Sequence, residues 1–114
     1  MSARPRSGAP ANRAQAQVFA ALGTETRLAL IARLSGGDRQ SITELAEGSR
    51  LTRQAITKHL RMLESAGLVR STRDGREQLF EFRPEPIAEV QKYLDGIAQQ
   101  WDQALGRLKR FVED

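Results

Sequence analysis

Residues 52–66, Thr52-Arg53-Gln54-Ala55-Ile56-Thr57-Lys58-His59-Leu60-Arg61-Met62-Leu63-Glu64-Ser65-Ala66, decide the fold. At a period of 3.6 this stretch has two unlike faces. Ile56, Leu60 and Leu63 fall at i, i+4 and i+7 and form one apolar stripe. Arg53, Gln54, Thr57, Lys58 and Arg61 fall on the other side, with no acid among them. Those are the side chains that reach base edges and phosphates in a major groove. The spacing therefore predicts a recognition helix, with one face for a core and one for DNA.

The residues just before it support this. Ser41-Ile42-Thr43-Glu44 fits a capping box and predicts a short helix carrying Ile42, Leu45 and Ala46 inward. Gly48-Ser49-Arg50-Leu51 is a turn of helix-turn-helix length, and Thr52 is placed to cap the next helix, which Gly67 closes. After Gly67 the period changes to 2. Residues 68–73 and 76–83 read as strands joined at Asp74-Gly75, with Phe80 and Phe82 on one face. Arg73 and Arg76 lie on either side of the turn and point to phosphate contact. A basic-tipped hairpin directly after a helix-turn-helix is the sequence form of a winged helix, a mainly α architecture of the α+β kind.

Further upstream, residues 13–22 read as a helix with Val18, Phe19 and Leu22 as its apolar edge, ended by Gly23. Thr24 caps a second helix whose core stripe is read as Leu28, Ile31, Ala32 and Leu34. Residues 1–12 lack Leu, Ile, Val and Phe and are expected to be a disordered basic arm. Residues 13–114 then form a single DNA-binding and dimerisation domain, as the length of 114 suggests.

Downstream, Pro84 ends the hairpin and Pro86 suits a first helical turn. Ile87, Val90, Leu94, Ile97, Trp101, Leu105, Leu108 and Val112 follow at spacings of three and four, close to a heptad seam. One small body cannot cover so long a stripe. The expected partner is a second copy, with Val18, Phe19, Leu22, Val90, Leu94, Ile97, Trp101, Leu105 and Leu108 in a homodimer interface. Gly96 and Gly106 weaken that helix slightly and leave room for a close neighbour.

Composition limits the chemistry. There is no cysteine and one histidine, which excludes disulfides, thiolate metal sites and cysteine nucleophiles. His59 sits beside the core stripe with no second histidine, so it reads as a structural residue rather than a ligand or base. No Gly-rich phosphate loop is present, and no enzyme, metal site or cofactor is expected. With neither a signal peptide nor a long apolar run, the chain is expected to be soluble and cytoplasmic, with no membrane partner. Residues 1–83 carry 14 Lys+Arg against 8 Asp+Glu, net +6; residues 84–114 carry 4 against 6, net −2. That asymmetry suits a body that meets a polyanion.

The run SITELAEGSRLTRQAITKHLRMLESAGLVRSTRDGREQLFEF (residues 41–82) resembles the ArsR family of bacterial winged-helix repressors. The Leu51–Leu60 segment, the Leu63-Glu64-Ser65-Ala66-Gly67-Leu68-Val69 close and the Asp74-Gly75-Arg76 wing carry the likeness, and Thr24–Leu28 resembles the family's opening to its second helix. The resemblance implies a dimeric transcription factor, usually a repressor that leaves its operator on a signal. The chain departs from the metal-sensing members. Where these have a cysteine pair it has Ser41 and Thr43, and its last helix has Asp95 and Asp102 but no histidine. The likeness is to metal-free members, with the inducer unknown. Two rivals are a MarR-like ligand-responsive regulator, for which this chain is short, and a winged-helix protein-interaction module without DNA binding, which an acid-free recognition face disfavours. The expected DNA contacts are Thr52, Arg53, Gln54, Thr57, Lys58, Arg61, Arg73 and Arg76, on double-stranded DNA. Gln54 and Thr57 are read at base edges, Arg53 on either a guanine or a phosphate, and Lys58 and Arg61 on phosphates.

Overall fold

Three hydroxyl caps set the helix starts of the winged core. The computed structural model describes residues 9–113. Its order is α1 (Ala9–Ala21), α2 (Glu25–Leu34), β1 (Gln40–Ser41), α3 (Ile42–Ala46), α4 (Arg53–Ser65), β2 (Val69–Asp74), β3 (Glu77–Phe82) and α5 (Glu85–Glu113). Thr24 accepts from the Arg27 amide at 3.1 Å and Thr52 from the Ala55 amide at 3.0 Å. Ser41 accepts from the Glu44 amide at 3.1 Å while Glu44 accepts from the Ser41 amide at 2.8 Å, the reciprocal box expected from the sequence.

The end of α4 is as specific as its start. Gly67 has φ +78, the left-handed conformation. The Leu68 amide bonds the Leu63 carbonyl at 3.0 Å and the Gly67 amide bonds the Glu64 carbonyl at 2.9 Å. This is a Schellman stop, with the apolar pair Leu63 and Leu68 both fully buried across it. It turns the chain directly into the wing.

The wing hairpin pairs Val69 with Phe82 through Asp74 with Glu77. The two-residue loop is therefore Gly75-Arg76, one place beyond the expected Asp74-Gly75. Gly75 has φ +65, which a type II′ turn needs at its first central residue. Arg70 and Glu81 face each other across the ladder with Nη2 to Oε1 at 2.7 Å. That hydrogen bond, opposed by some desolvation, holds the Glu81 carboxyl below the usual carboxylate range. The wing gains a third strand the sequence reading lacked: β1 pairs with β3, so the order is β1-β3-β2. Phe80 lies on the central strand and is fully buried. Leu34, Leu45, Ile56, Leu60, Leu63 and Leu68 close the core around it.

Three further expectations change. Helix α1 starts at Ala9, so residues 9–12 are helical rather than part of an arm; residues 1–8 of that arm lie outside the described residues. Gly23 is not in the left-handed conformation. What it supplies is space, since a Cβ there would sit 3.2 Å from the Ala20 carbonyl oxygen. On α2 the buried stripe is Leu30, Ile31 and Leu34, whereas Leu28 and Ala32 face solvent.

Helix α5 has 29 residues, or about 43 Å at 1.5 Å per residue. Only its beginning, Ile87 and Val90, joins the core. The rest projects, giving extents of 68 × 37 × 22 Å and a radius of gyration of 19.3 Å. A rounded body of this length has about 13 Å. Among the described residues no helix is long and apolar enough to cross a membrane.

Candidate nucleic-acid interface

Helix α4 buries Ile56, Leu60 and Leu63 and turns Arg53, Gln54, Lys58 and Arg61 to solvent. The two faces read from the sequence are the two faces of the folded helix. Within the outer face the residues divide by what they already bond. Arg53, Gln54 and Lys58 have no side-chain hydrogen-bond partner among the described residues, and nor do Arg73 and Arg76 on the wing. The hydroxyl of Thr57 donates to the Arg53 carbonyl at 2.8 Å, and that of Thr52 is the helix cap. Those two therefore serve the helix itself, and Thr57 is partly buried.

Arg61 is also engaged. Its Nη1 donates to Glu64 Oε1 at 2.9 Å and its Nη2 to Gln78 Oε1 at 3.4 Å. Ser71 Oγ donates to Glu64 Oε2 at 2.9 Å, and Gln78 Nε2 donates to Ser71 Oγ at 3.1 Å. The four side chains form a closed ring between the second half of α4 and the two wing strands. Arg61, expected on a phosphate, ties the recognition helix to the wing in the free chain. The sequence reading missed Glu64, Ser71 and Gln78 altogether. Only the i, i+3 spacing of Arg61 and Glu64 is visible in the sequence.

Other arginines brace the scaffold. Arg27 donates to the Ala20 carbonyl at 3.1 Å and to that of Ala21, closing the end of α1, and its Nη1 lies 3.3 Å from His59 Nδ1. His59 is thus held inside the fold, on the inner edge of the recognition helix. Arg33 donates to the Leu45 carbonyl at 2.7 Å and to the Glu44 carbonyl at 2.9 Å, capping α3 from α2. Neither arginine was singled out in the sequence. Among the described residues no group of three or more His, Asp or Glu side chains could hold a metal ion.

The unpartnered arginines converge. Arg53 at the start of α4, with Arg73 and Arg76 of the wing, lines one cleft, together with Thr43, Glu77 and Gln78.

The expected dimer residues divide in two. Val18 and Val90 are 4% and 7% exposed and belong to this chain's own core, where α1 meets α4 and α5, so they are not available to a partner. Leu22 also packs against that core. Ile97 is partly buried. Phe19, Leu94, Trp101, Leu105 and Leu108 are exposed, Trp101 at 64%, and Phe111, which the seam spacing passed over, reaches 80%.

Comparison with known proteins agrees with this geometry. Residues 22–72 match the family model for a helix-turn-helix domain. The HTH-type transcriptional regulator YuzN of Bacillus subtilis is 38% identical over 81 residues, spanning 66% of this chain and 88% of YuzN. The HTH-type transcriptional repressor SmtB of Mycobacterium tuberculosis is 27% identical over 92 residues, 81% of this chain and 66% of SmtB. The structure of an ArsR-like transcriptional regulator from Rhodococcus sp. RHA1 superposes with a TM-score of 0.80 at 35% identity, covering 90% of this chain and 95% of that one. These matches replace the MarR-like alternative, and the chain belongs to the ArsR-type winged helix-turn-helix transcriptional regulators, a DNA-binding and non-enzymatic family.

Proposed function

We propose that the chain is a cytoplasmic homodimeric repressor of a pseudo-palindromic operator. The outer face of α4 enters the major groove, with Gln54 at a base edge and Lys58 on the backbone. The wing follows the flanking strand through Arg73 and Arg76. Paired α5 helices set the distance between the two recognition helices. The observation that carries this reading is the exposed Arg53, Gln54 and Lys58 on the outer face of α4, without side-chain partners among the described residues, beside an equally unpartnered basic wing tip. Repression, rather than activation, is supported by the name of the relative SmtB.

The test is selection of duplexes from a random library, with the mass of the protein measured in solution. An enriched inverted repeat bound by a species of twice 12.7 kDa is the expected result. Gln54→Ala should lose about 1–3 kcal/mol of discrimination at one base pair per half-site. No enrichment, or a monomer, would overturn the reading. Unchanged ranking of operators by the alanine variant would overturn the role of Gln54.

A further inference from the structure

Three arginines line one cleft, and none has a side-chain hydrogen bond or ion pair among the described residues. Arg53 comes from the recognition helix, and Arg73 and Arg76 come from the wing. Arg27, Arg33, Arg61, Arg70 and Arg83 all bond protein oxygens, or in one case also a ring nitrogen. Arg50, Arg107 and Arg110 also bond no protein acceptor among the described residues; what sets Arg53, Arg73 and Arg76 apart is that they line one cleft between recognition helix and wing. Their only acidic neighbour in its lining is Glu77, so positive charge is in excess, and like charges brought together cost energy until an anion joins them. The hydroxyl of Thr43 and the amide of Gln78 add neutral hydrogen-bonding groups at the edge.

The ring of Arg61, Glu64, Ser71 and Gln78 fixes how far apart the walls stand. Gln78 belongs to both the ring and the cleft. Phe80 in the core and the β1 pairing anchor the inner part of the hairpin, but beyond them the tip would be held by its strand ladder alone. Here Ser71 in mid-strand and Gln78, which pairs with Arg73 beside the turn, are bonded side chain to side chain onto α4, so the wing arginines are held beside the cleft that Arg53 also lines.

We infer that Arg53, Arg73 and Arg76 close on a single DNA backbone phosphate in each half-site, so that recognition helix and wing act as one clamp, with Glu64 as a positioning residue. This rests on the reading that α4 enters the groove, and it adds to that reading which phosphate contacts are shared. Three arginines reaching three separate phosphates would be the alternative arrangement.

The experiment uses the full-length protein and the duplex enriched by selection. The salt slope of binding counts neutralised phosphates at about 0.9 each. With a shared phosphate, the R53A/R73A/R76A variant lowers the slope by about one per half-site rather than about three. R53A and R73A should each weaken binding about tenfold. Their double variant should fall well short of the hundredfold loss that independent contacts give. One methylphosphonate per half-site should cost the wild type as much as the triple substitution and cost the triple variant nothing. In Glu64→Ala the wing is released, and the R53A and R73A losses become multiplicative; Glu64→Gln, which keeps an acceptor for Ser71, restores the coupling. Thermal melting of the Glu64 variants separates release of the wing from loss of the fold.

Losses that multiply in the wild-type background, or a slope change of about three, overturn the clamp and leave the operator reading intact. Failure to enrich any duplex overturns both. Exchange of chloride for inorganic phosphate at equal ionic strength should leave wild-type affinity unchanged. If it displaced the wild type but not the triple variant, the cleft would be a site for free phosphate and the assignment to DNA would fall.

Discussion

At the scale of single residues the chain divides its arginines by what each already bonds. Arg33 is the clearest structural case, since its two amino groups cap the Glu44 and Leu45 carbonyls at the end of the five-residue helix α3. A charged donor to a carbonyl contributes about 1.5–3 kcal/mol when its partner is left unsatisfied, and somewhat less at this exposed edge. Arg33→Ala should therefore lower unfolding free energy by about 1 kcal/mol in urea melts, with the salt slope of DNA binding unchanged. Arg61 makes a sharper contrast with Arg53. Both are exposed on the outer face of α4, and both read as DNA contacts in the sequence, Arg61 on a phosphate and Arg53 on either a guanine or a phosphate. Because Arg61 is held by Glu64 and Gln78, Arg61→Ala should weaken binding while leaving the slope as it was; Arg53→Ala should lower the slope. A fall of about one in the slope for Arg61→Ala would return it to the phosphate contacts. Helical periodicity places a side chain on a face, but it does not say what that side chain already holds. His59, which Arg27 meets, and the Leu45 carbonyl, which Arg33 caps, lie on other elements, 32 and 12 residues away, beyond the reach of any local pattern.

Among the elements, those with chemical punctuation were the legible ones. Thr24, Ser41 and Thr52 cap where their residue types and spacing indicate, and Gly67 stops α4 where the apolar stripe ends. The start of α1 carried no such mark. Residues 9–12 hold no large apolar side chain, and Pro10 argues for a break, yet in a first turn its missing amide removes no bond. Strand β1 was hidden for another reason. Two residues show no period, and Gln40 and Ser41 exist as a strand only because β3 lies beside them. The stop at Gly67 can be tested on its own. A Cβ there would meet Pro86 Cγ at 3.6 Å, an ordinary contact, so space is not the constraint. The constraint is φ +78, which disfavours an L side chain by about 1–2 kcal/mol. Gly67→Ala should lose that amount in a thermal or urea melt. An undiminished stability would mean that the Schellman stop can re-form without a left-handed residue.

The molecule as a whole is unfinished as one chain. Its core closes around Phe80 and the leucines, but beyond Val90 helix α5 leads away from it with Leu94, Trp101, Leu105, Leu108, Phe111 and Val112 exposed. An apolar side chain removed from water contributes about 1.5–3 kcal/mol, and a stripe this long is a large driving force for association. Pairing two such helices about a two-fold axis would also place two α4 helices at a set separation, which an inverted repeat requires. The seam was legible because it follows a simple period; that Val18 and Val90 turn inward was not, because the same period serves an own core and a partner equally. Leu105→Asp tests the arrangement. Leu105 is 56% exposed in the chain, so the substitution leaves the winged core alone and acts only where a second copy would cover it. The expected mass at micromolar concentration falls from twice 12.7 kDa to 12.7 kDa. Binding to the inverted repeat then falls towards that of a lone half-site, since the second half-site is no longer engaged by a linked copy. Gln99→Asp, on the opposite side of α5, serves as the control and should change neither mass nor affinity. If Leu105→Asp remained dimeric, the copies would be held by another face, Phe19 and the outer side of α1 being the next exposed apolar surface, and the spacing of half-sites would be set there instead.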